Sequence, residues 1–306
     1  MSLRIATFNL KDFFLPKGDA ERALVEAKVA NVAANVLRAK PDVVALQEVG
    51  EEEHLVRLAT KELASLGYGA PILGTQDKRG IRCAILSRLP VLWSQVHTQK
   101  TLSFPRFFEG DPEPFPNRIP LRRGVVHVRI DAPGLGEIDV LTAHFKSNLG
   151  VSLRTASGEE IEDHTARGRG EAAMRSLVAR AAEALFVRGL VDDIIKASPD
   201  HHVCVLGDLN DRAESLPVRL LKGMGELSSG MLKSCADLMP AEQRFSCFHA
   251  NEKSMIDHVL LSERLYRHVK TYEIYNEKLR YHGPHIEPTP LTEDSDHALC
   301  VVELAE

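Results

Sequence analysis

The chain has 306 residues, and its 43 acidic and 38 basic side chains give a formal charge of −5. This balance excludes the strongly cationic proteins that hold nucleic acid or anionic membranes through a global positive field. The length suits two domains of ordinary size or one large α/β or β-sandwich unit. With 44% hydrophobic and 26% charged residues, the composition is typical of a soluble globular protein.

The chain has no apolar run near the roughly 18 residues that a membrane span needs, and its N-terminus lacks the pattern of a signal peptide. We therefore expect a cytoplasmic protein without a membrane span. The five cysteines are odd in number and scattered, with no Cys-x-x-Cys pair, so neither disulfides nor a structural zinc site is expected. Cys204 and Cys300 fall within apolar strands, where a small buried side chain is the expected role.

The opening of the chain predicts two strand–helix units. An apolar run over 3–10 indicates a strand, and a helix follows that ends before Pro41. Residues 43–46 predict a buried strand, and a second helix over 51–66 ends at Gly67 and Gly69. The apolar positions that recur at helical spacing in the first helix are Val25, Val29, Val32 and Val36.

The remainder predicts mostly strands, which are expected over 83–87, 91–96, 124–130, 138–145, 203–206, 256–261, 269–275 and 298–304. A long alanine-rich helix is expected over 169–196 and a short one over 214–221. The stretch 98–120 holds five prolines and four phenylalanines, so it predicts a long ordered loop. A second loop, rich in proline and histidine, reaches about residue 294. Because no repeat or linker interrupts the pattern, we expect a single domain over residues 1–306.

Polar residues follow the apolar strands at the points where the strands end. Each has an ordinary explanation when taken alone, as a turn former, a helix cap, a solvated carboxylate or a structural histidine. Six such positions in one chain point instead to a converged site, because a sheet holds reactive groups rigidly at its edge. In chain order they are Asn9, Glu48, His144, Asp208 with Asn210, Asp257 with His258, and Asp296 with His297.

These residue types indicate a site for a hard cation. Carboxylate and amide oxygens dominate, which suits Mg²⁺ or Mn²⁺ better than Zn²⁺ or copper. Glu48, helped by Asn9, Asp208 or Asp296, could supply the one or two carboxylates that Mg²⁺ typically takes. The histidines add proton transfer near neutral pH. Together these parts suit hydrolysis of a phosphate ester, and no phosphate-binding Gly-x-x-x-x-Gly-Lys loop or nucleophilic elbow competes.

Six short motifs, taken in order, resemble the endonuclease/exonuclease/phosphatase superfamily, which includes DNase I, exonuclease III, abasic-site endonucleases, neutral sphingomyelinases and inositol-polyphosphate 5-phosphatases. They are Thr7-Phe8-Asn9, Leu46-Gln47-Glu48-Val49, Thr142-Ala143-His144-Phe145-Lys146-Ser147, Gly207-Asp208-Leu209-Asn210, Ile256-Asp257-His258-Val259 and Ser295-Asp296-His297. The resemblance spans residues 5–303. It implies an α/β (α+β) fold, a DNase I-like four-layer αββα sandwich, whereas the periodicity alone does not distinguish this from a doubly wound sheet.

The resemblance also implies roles for the residues around the metal and the water. Glu48 corresponds to the principal ligand of a Mg²⁺ or Mn²⁺ ion, with Asn9 and Asp296 beside it. Asp208 would align and deprotonate the attacking water, and Asn210 would hold that water or the phosphate.

A second group of residues is implied to contact the substrate. His297 would contact the scissile phosphate or act as a base, oriented by Asp257. His144 resembles the histidine near the leaving group in the DNase I and sphingomyelinase branches. Lys146 and Arg123 are further candidate phosphate contacts.

The segment over 77–129 is locally basic. It holds ten Lys or Arg against four acidic residues, while the rest of the chain carries −11. With the aromatic loop over 98–120, this segment could hold a phosphate backbone and stack against bases. Alternatively, the charges point in several directions and the phenylalanines pack the loop against the protein.

Three functions are compatible with the motifs. The first is a metal-dependent nuclease acting on DNA or RNA, with nucleic acid as substrate and no obligate protein partner inferred. The second is a phosphatase or phosphodiesterase acting on a phospholipid or a small phosphorylated metabolite. The third is a catalytically inactive binding protein on the same fold, which the intact set of polar residues argues against. The segment beginning at His144 is similar to that of bacterial extracellular-type nucleases, whereas exonuclease III and the abasic-site enzymes usually carry a tyrosine-containing segment there.

Overall fold

The computed structural model describes residues 2–225, 230–249, 252–283 and 291–306. The helices are α1 (Asp19–Ala39), α2 (Glu52–Arg57), α3 (Ala166–Ala197), α4 (Leu216–Lys222) and α5 (Glu263–Tyr266). The strands of the first half are β1 (Ser2–Phe13), β2 (Val43–Val49), β3 (Ile72–Leu73), β4 (Arg82–Ser87), β5 (Val91–His97), β6 (Val125–Ala132) and β7 (Gly136–His144). Those of the second half are β8 (Leu153–Arg154), β9 (Glu160–Ile161), β10 (His202–Asp208), β11 (Leu232–Ser234), β12 (Cys247–His249), β13 (Glu252–Ser254), β14 (Asp257–Ser262), β15 (Val269–Tyr275) and β16 (Leu299–Ala305).

Two six-stranded sheets form the centre of the molecule, with the orders β15-β16-β1-β2-β4-β3 and β11-β14-β10-β7-β6-β5. Apolar side chains from both sheets pack together between them, including Ile5, Ile85, Val128 and Leu206. The outer face of the first sheet packs against α1 and α2, and that of the second packs against α3 and α4. The predicted four-layer αββα sandwich is therefore confirmed.

A central parallel pair in each sheet determines where the polar strand ends meet. Strands β1 and β2 are parallel in the first sheet, and β7 and β10 are parallel in the second. In the second sheet Asp208 pairs with His144 on one side and with Asp257 on the other. Strand β16 runs antiparallel to β1, with Cys300 opposite Thr7, so the residues before β16 lie beside the end of β1. All the predicted strand-end positions consequently lie at one end of the sandwich.

The two strands that carry Asn9 and Glu48 are irregular at that end. The pairing of β1 with β2 shifts between Asn9 and Phe13, and that of β2 with β4 shifts between Leu46 and Val49. Lys11, Asp12 and Glu48 have φ angles of 51°, 50° and 57°. Non-glycine residues seldom adopt this left-handed conformation, and it clusters at functional sites. Such bulges redirect side chains at the edge of a sheet.

The predicted elements agree with the observed ones, with a few differences. The helix expected over 51–66 is α2 followed by a π-helical turn (Leu58–Glu62) and a 3₁₀ turn (Ala64–Leu66). The short strands β3, β8, β9, β11, β12 and β13 were not predicted, because two or three residues carry no measurable periodicity. The loop over 98–120 contains neither helix nor strand. Of the second predicted loop, residues 284–290 lie outside the described residues.

Cys204 and Cys300 are fully buried, as predicted. None of the helices within the described ranges combines the length and the apolar character required to cross a membrane.

Candidate active site

Buried hydrogen bonds join the two sheets at the end where the polar residues meet. Asn9 Nδ2 donates to Asp208 Oδ2 at 2.9 Å, and Gln47 Nε2 donates to Thr142 Oγ1 at 3.1 Å. The Asn9 amide oxygen accepts the backbone N–H of Lys11 at 2.9 Å. Asn9 thus orients Asp208 across the interface between the sheets.

Asp208 is also held by the turn that follows β10. Its Oδ1 accepts the backbone N–H of Asn210 at 2.9 Å, while Asn210 Nδ2 donates to the Phe145 carbonyl at 3.0 Å. Burial, followed by the nearby Asp257 carboxylate, raises the pKa of Asp208 to about 7. A carboxyl group with this pKa can both accept and release a proton near neutral pH.

His297 is paired with a buried carboxylate. Its Nδ1 lies 2.8 Å from Asp257 Oδ2, and Asp257 is fully buried. Burial acts to lower the pKa of His297, but the Asp257 carboxylate outweighs it, and together with Asp208 and Asp296 it raises that pKa to about 10. The imidazole is therefore protonated at neutral pH. Its Nε2 lies 4.0 Å from Asp208 Oδ2 and 3.9 Å from Asp296 Oδ1.

His144 has the opposite electrostatic environment. Arg123 Nη1 lies 2.8 Å from its Nδ1 and 2.9 Å from its Nε2. Burial, followed by the Arg123 charge, lowers the pKa of His144 well below its usual range, so the ring is neutral at neutral pH. Its Nε2 is 3.4 Å from Asp208 Oδ2 and 3.9 Å from Glu48 Oε1.

The bulge in β1 supports two further carboxylates. The backbone N–H of Asp12 donates to Glu48 Oε2 at 2.9 Å. The ammonium of Lys11 lies 2.9 Å from Asp296 Oδ2, with both side chains about nine-tenths buried. Burial acts to raise the pKa of Asp296, but the positive charges of His297 and Lys11 lower it to about 2. Asp296 is therefore a carboxylate at neutral pH.

These groups surround one cleft of about 340 Å³, which is within the size range of ligand sites. The predicted site residues that line it are Glu48, Arg123, His144, Asp208, Asn210, Asp296 and His297. Asn9 and Asp257 lie directly behind this lining and hold Asp208 and His297, respectively.

Lys146, a predicted phosphate contact, hydrogen-bonds to its own loop. Its ammonium donates to the Ser147 carbonyl, the Ser147 hydroxyl and the Leu149 carbonyl at 2.8, 3.0 and 2.7 Å. Because an ammonium has three protons, these bonds use its donor capacity. Lys146 therefore holds the loop after β7, and its contact with phosphate stays a prediction.

Several cleft residues were not singled out from the sequence. Arg79 lines the cleft, and its Nη2 lies 2.6 Å from Asp12 Oδ1 and 3.9 Å from Glu48 Oε2. Lys11, Asp12 and Arg212 also line it. Lys11 and Asp12 directly follow Leu10, so they read as a continuation of the strand, and only their unfavourable strand propensity could have indicated a bulge.

The basic segment over 77–129 fits in part the prediction of phosphate and base binding, and in part the alternative of scattered charges and a packed loop. Arg79 and Arg123 line the cleft, whereas Arg129 Nη2 donates to Asp139 at 2.8 Å, away from it. Among the loop phenylalanines, the rings of Phe104 and Phe115 pack edge to face at 5.2 Å. The other two, Phe107 and Phe108, are 87% and 76% exposed.

The donors in the cleft suit a hard divalent cation. Cys247 also lines it, but burial raises the pKa of its thiol far above the usual range, so no thiolate joins the carboxylates. Ligand atoms of Asp208, Asp257 and His297 lie within 4.8 Å of one another. A cation bound by this cluster would have to displace the His297 proton, whereas Glu48 and Asp296 offer carboxylate oxygens in the same cleft.

The fold is shared with several solved structures. The chain aligns over 100% of its length with 98% of a truncated Caenorhabditis elegans TDP2, at 16% identity and a TM-score of 0.59. It aligns over 100% with 99% of D. rerio TDP2 complexed with a single-strand DNA product, at 14% identity and a TM-score of 0.59. A Bacteroides thetaiotaomicron protein of the endonuclease/exonuclease/phosphatase family matches at 19% identity and a TM-score of 0.61, covering 99% of this chain and 97% of the other.

The sequence itself matches a family model. No curated protein has significant sequence similarity to the chain, but the model of the Endonuclease/Exonuclease/phosphatase family matches residues 6–297. This match spans nearly the whole chain and confirms the resemblance found in the six motifs. The chain belongs to the endonuclease/exonuclease/phosphatase family.

Proposed function

We propose that the chain is a divalent-metal-dependent phosphodiesterase that cleaves DNA or RNA by attack of water on phosphate. Members of this family are generally dependent on divalent metal ions, and family membership supports phosphodiesterase or nuclease activity in general. The observation that carries the proposal is the convergence of Glu48, Asp208, Asp296 and His297 on one cleft from segments remote in sequence.

The proposed roles follow from the protonation states. Asp208, with its pKa raised to about 7, accepts the proton of the attacking water. Asn9 and Asn210 hold the Asp208 carboxylate in position. His297, protonated and oriented by Asp257, donates through Nε2 to a non-bridging phosphoryl oxygen. This assignment favours the phosphate contact over the role of base for His297, because a protonated imidazole cannot accept a proton.

Neutral His144 and its partner Arg123 complete the proposed site. The Arg123 guanidinium neutralises charge on the phosphate. The neutral imidazole of His144, whose Nε2 lies 3.4 Å from Asp208 Oδ2, relays the proton taken up by Asp208 to the leaving oxygen. A Mg²⁺ or Mn²⁺ ion, held by Glu48 and Asp296, would supply charge neutralisation at the phosphoryl oxygens.

Two observations support a nucleic acid as the substrate. One solved structure of this fold, D. rerio TDP2, is complexed with a single-strand DNA product. In addition, two phenylalanines of the loop over 98–120, Phe107 and Phe108, are largely exposed, and exposed aromatic rings can stack with unpaired bases.

The second candidate substrate is a small phosphorylated metabolite or a lipid headgroup, which the modest cleft volume favours. Cytoplasmic localisation and a single domain remain predictions.

The test is incubation with plasmid, single-stranded DNA and RNA oligonucleotides, a panel of phosphomonoesters and sphingomyelin, each with Mg²⁺, Mn²⁺ or EDTA. We expect chelator-sensitive cleavage of the nucleic acids, and its absence would overturn the proposal. Release of inorganic phosphate or phosphocholine without strand cleavage would select the second candidate. In the same assay Glu48→Gln should lower the cleavage. Its matched control is Glu137→Gln, which should not, because Glu137 is exposed and lies at the opposite end of the second sheet from the cleft.

A further inference from the structure

The bulge of β1 contacts both carboxylates proposed as metal ligands. The Asp12 backbone N–H donates a hydrogen bond to Glu48 Oε2, and the Lys11 ammonium donates one to Asp296 Oδ2. The second oxygen of each carboxylate lies near an imidazole of the cleft: Glu48 Oε1 is 3.9 Å from His144 Nε2, and Asp296 Oδ1 is 3.9 Å from His297 Nε2. In each carboxylate, one oxygen thus accepts a hydrogen bond from the bulge, and the other lies near a cleft histidine.

Lys11 is held in this position by the local fold. Its φ angle of 51° and that of Asp12, 50°, place both residues in the left-handed region. The ammonium of Lys28, in α1, donates to the backbone carbonyls of Leu10 and Lys11, and Lys28 is itself 1% exposed. Lys11 is 6% exposed. A buried lysine therefore fixes the backbone that directs a second buried lysine to Asp296.

A fixed ammonium at this place has a consequence for metal stoichiometry. Two-metal sites hold their ions roughly 3.5–4 Å apart, usually bridged by shared ligands. The Lys11 ammonium lies 2.9 Å from Asp296 Oδ2, an oxygen that could otherwise bridge two metal ions. Its positive charge also repels a second ion.

We propose that Lys11 acts as a built-in cation that limits this site to a single divalent ion, for which Glu48 and Asp296 would be ligands. This inference rests on the proposed function, since it assumes a metal-dependent site. Lys11 is a positioning residue for Asp296 and supplies the positive charge that a second metal ion would otherwise contribute.

The test counts the Mn²⁺ bound per chain by equilibrium dialysis with elemental analysis, which requires no substrate. We expect one ion for the wild type and for Lys11→Arg, which keeps the charge. Lys11→Gln and Lys11→Met remove the charge and should bind a second ion at least tenfold more tightly than the wild type does. Lys11→Gln keeps a hydrogen-bond donor for Asp296, so it still provides the test if Lys11→Met does not fold. Lys233→Gln, which breaks an exposed ion pair with Glu263, is the matched control and should bind one.

The outcomes separate this inference from the proposed function. Two ions in the wild type, or one ion in the folded Lys11→Gln and Lys11→Met variants, would overturn the role of Lys11 and leave metal dependence intact. No bound Mn²⁺ in the wild type would overturn both.

Discussion

Gly207 offers a sharp test of how the sheet positions the site. It lies in β10 directly before Asp208, with a φ angle of 140°. A Cβ at this position would lie 2.0 Å from the carbonyl oxygen of Ala143, in the neighbouring strand β7. Since the obstacle is backbone, Gly207→Ala can be accommodated only by moving β10 away from β7. Those strands carry Asp208 and His144, so the substitution should disturb the site as well as the fold.

The expected magnitude follows from two terms. An L-residue in this backbone region costs about 1–3 kcal/mol, and the enforced backbone shift costs about 1–3 kcal/mol more, so we expect a loss of about 4 kcal/mol. At about 2.1 cal/mol/K per residue, the unfolding entropy of the 306-residue chain is about 0.6 kcal/mol/K. The Tm should therefore fall by about 6 °C.

The assay is denaturant and thermal unfolding, with activity measured well below the Tm. The matched control is Gly189→Ala, because Gly189 is an exposed residue of α3 with nothing within 4 Å of an added Cβ. Alanine in a helix is more favourable than glycine, so this variant should gain about 0.5–1 kcal/mol. If Gly207→Ala unfolds within about 0.5 kcal/mol of the wild type, a value typical of surface substitutions, the steric argument is refuted.

Three further predictions concern single side chains. Glu48→Gln should weaken Mn²⁺ binding and phosphodiesterase activity together, as measured by dialysis and strand cleavage. His297→Ala should lower turnover by about 10²-fold or more and leave Mn²⁺ binding nearly intact; equal loss of metal in both variants would contradict the division of roles. Burial lowers the pKa of Lys28 from 10.5 to about 8, so the unfolded chain binds this proton more tightly and the folded state gains stability as the pH rises from 8 to 10.5. Lys28→Met should lack that gain, which is at most about 3.5 kcal/mol at about 1.4 kcal/mol per pKa unit. Urea unfolding of both proteins at pH 7.5 and pH 10.5 measures it, and parallel pH dependence would contradict the prediction.

The sequence was sufficient to predict the layers and most of the cleft. Apolar runs of four to eight residues mark the long strands, and the polar residue that ends each run is visible without a structure. Glu48, Asp208 and His297 were predicted in this way, and they do line one cleft. The set of polar strand ends already indicated a converged site, but the strand order that brings them together could be predicted only through the family resemblance, because periodicity does not determine which strands pair.

The remaining site residues depend on backbone conformation that periodicity does not encode. Lys11 and Asp12 enter the cleft because β1 bulges after Asn9, and the left-handed residues that make the bulge are neither glycine nor asparagine. Lys146 was predicted from its type, which suits phosphate, and its hydrogen bonds to nearby oxygens of its own loop could not be predicted from the sequence. Arg79 comes from a connection between strands, where sequence periodicity predicts no direction for a side chain.

The halves of the cleft belong to different sheets, since Asn9 and Glu48 lie on β1 and β2, and His144 and Asp208 lie on β7 and β10. The separation between the halves is consequently set by the thickness of the apolar layer in the interior. A change of side-chain volume there, for example at Val128, would alter the spacing of the opposing groups without touching any of them. Interior packing is thus a remote determinant of which phosphoesters fit, and adaptation to a new substrate has a route that leaves every polar residue of the cleft in place.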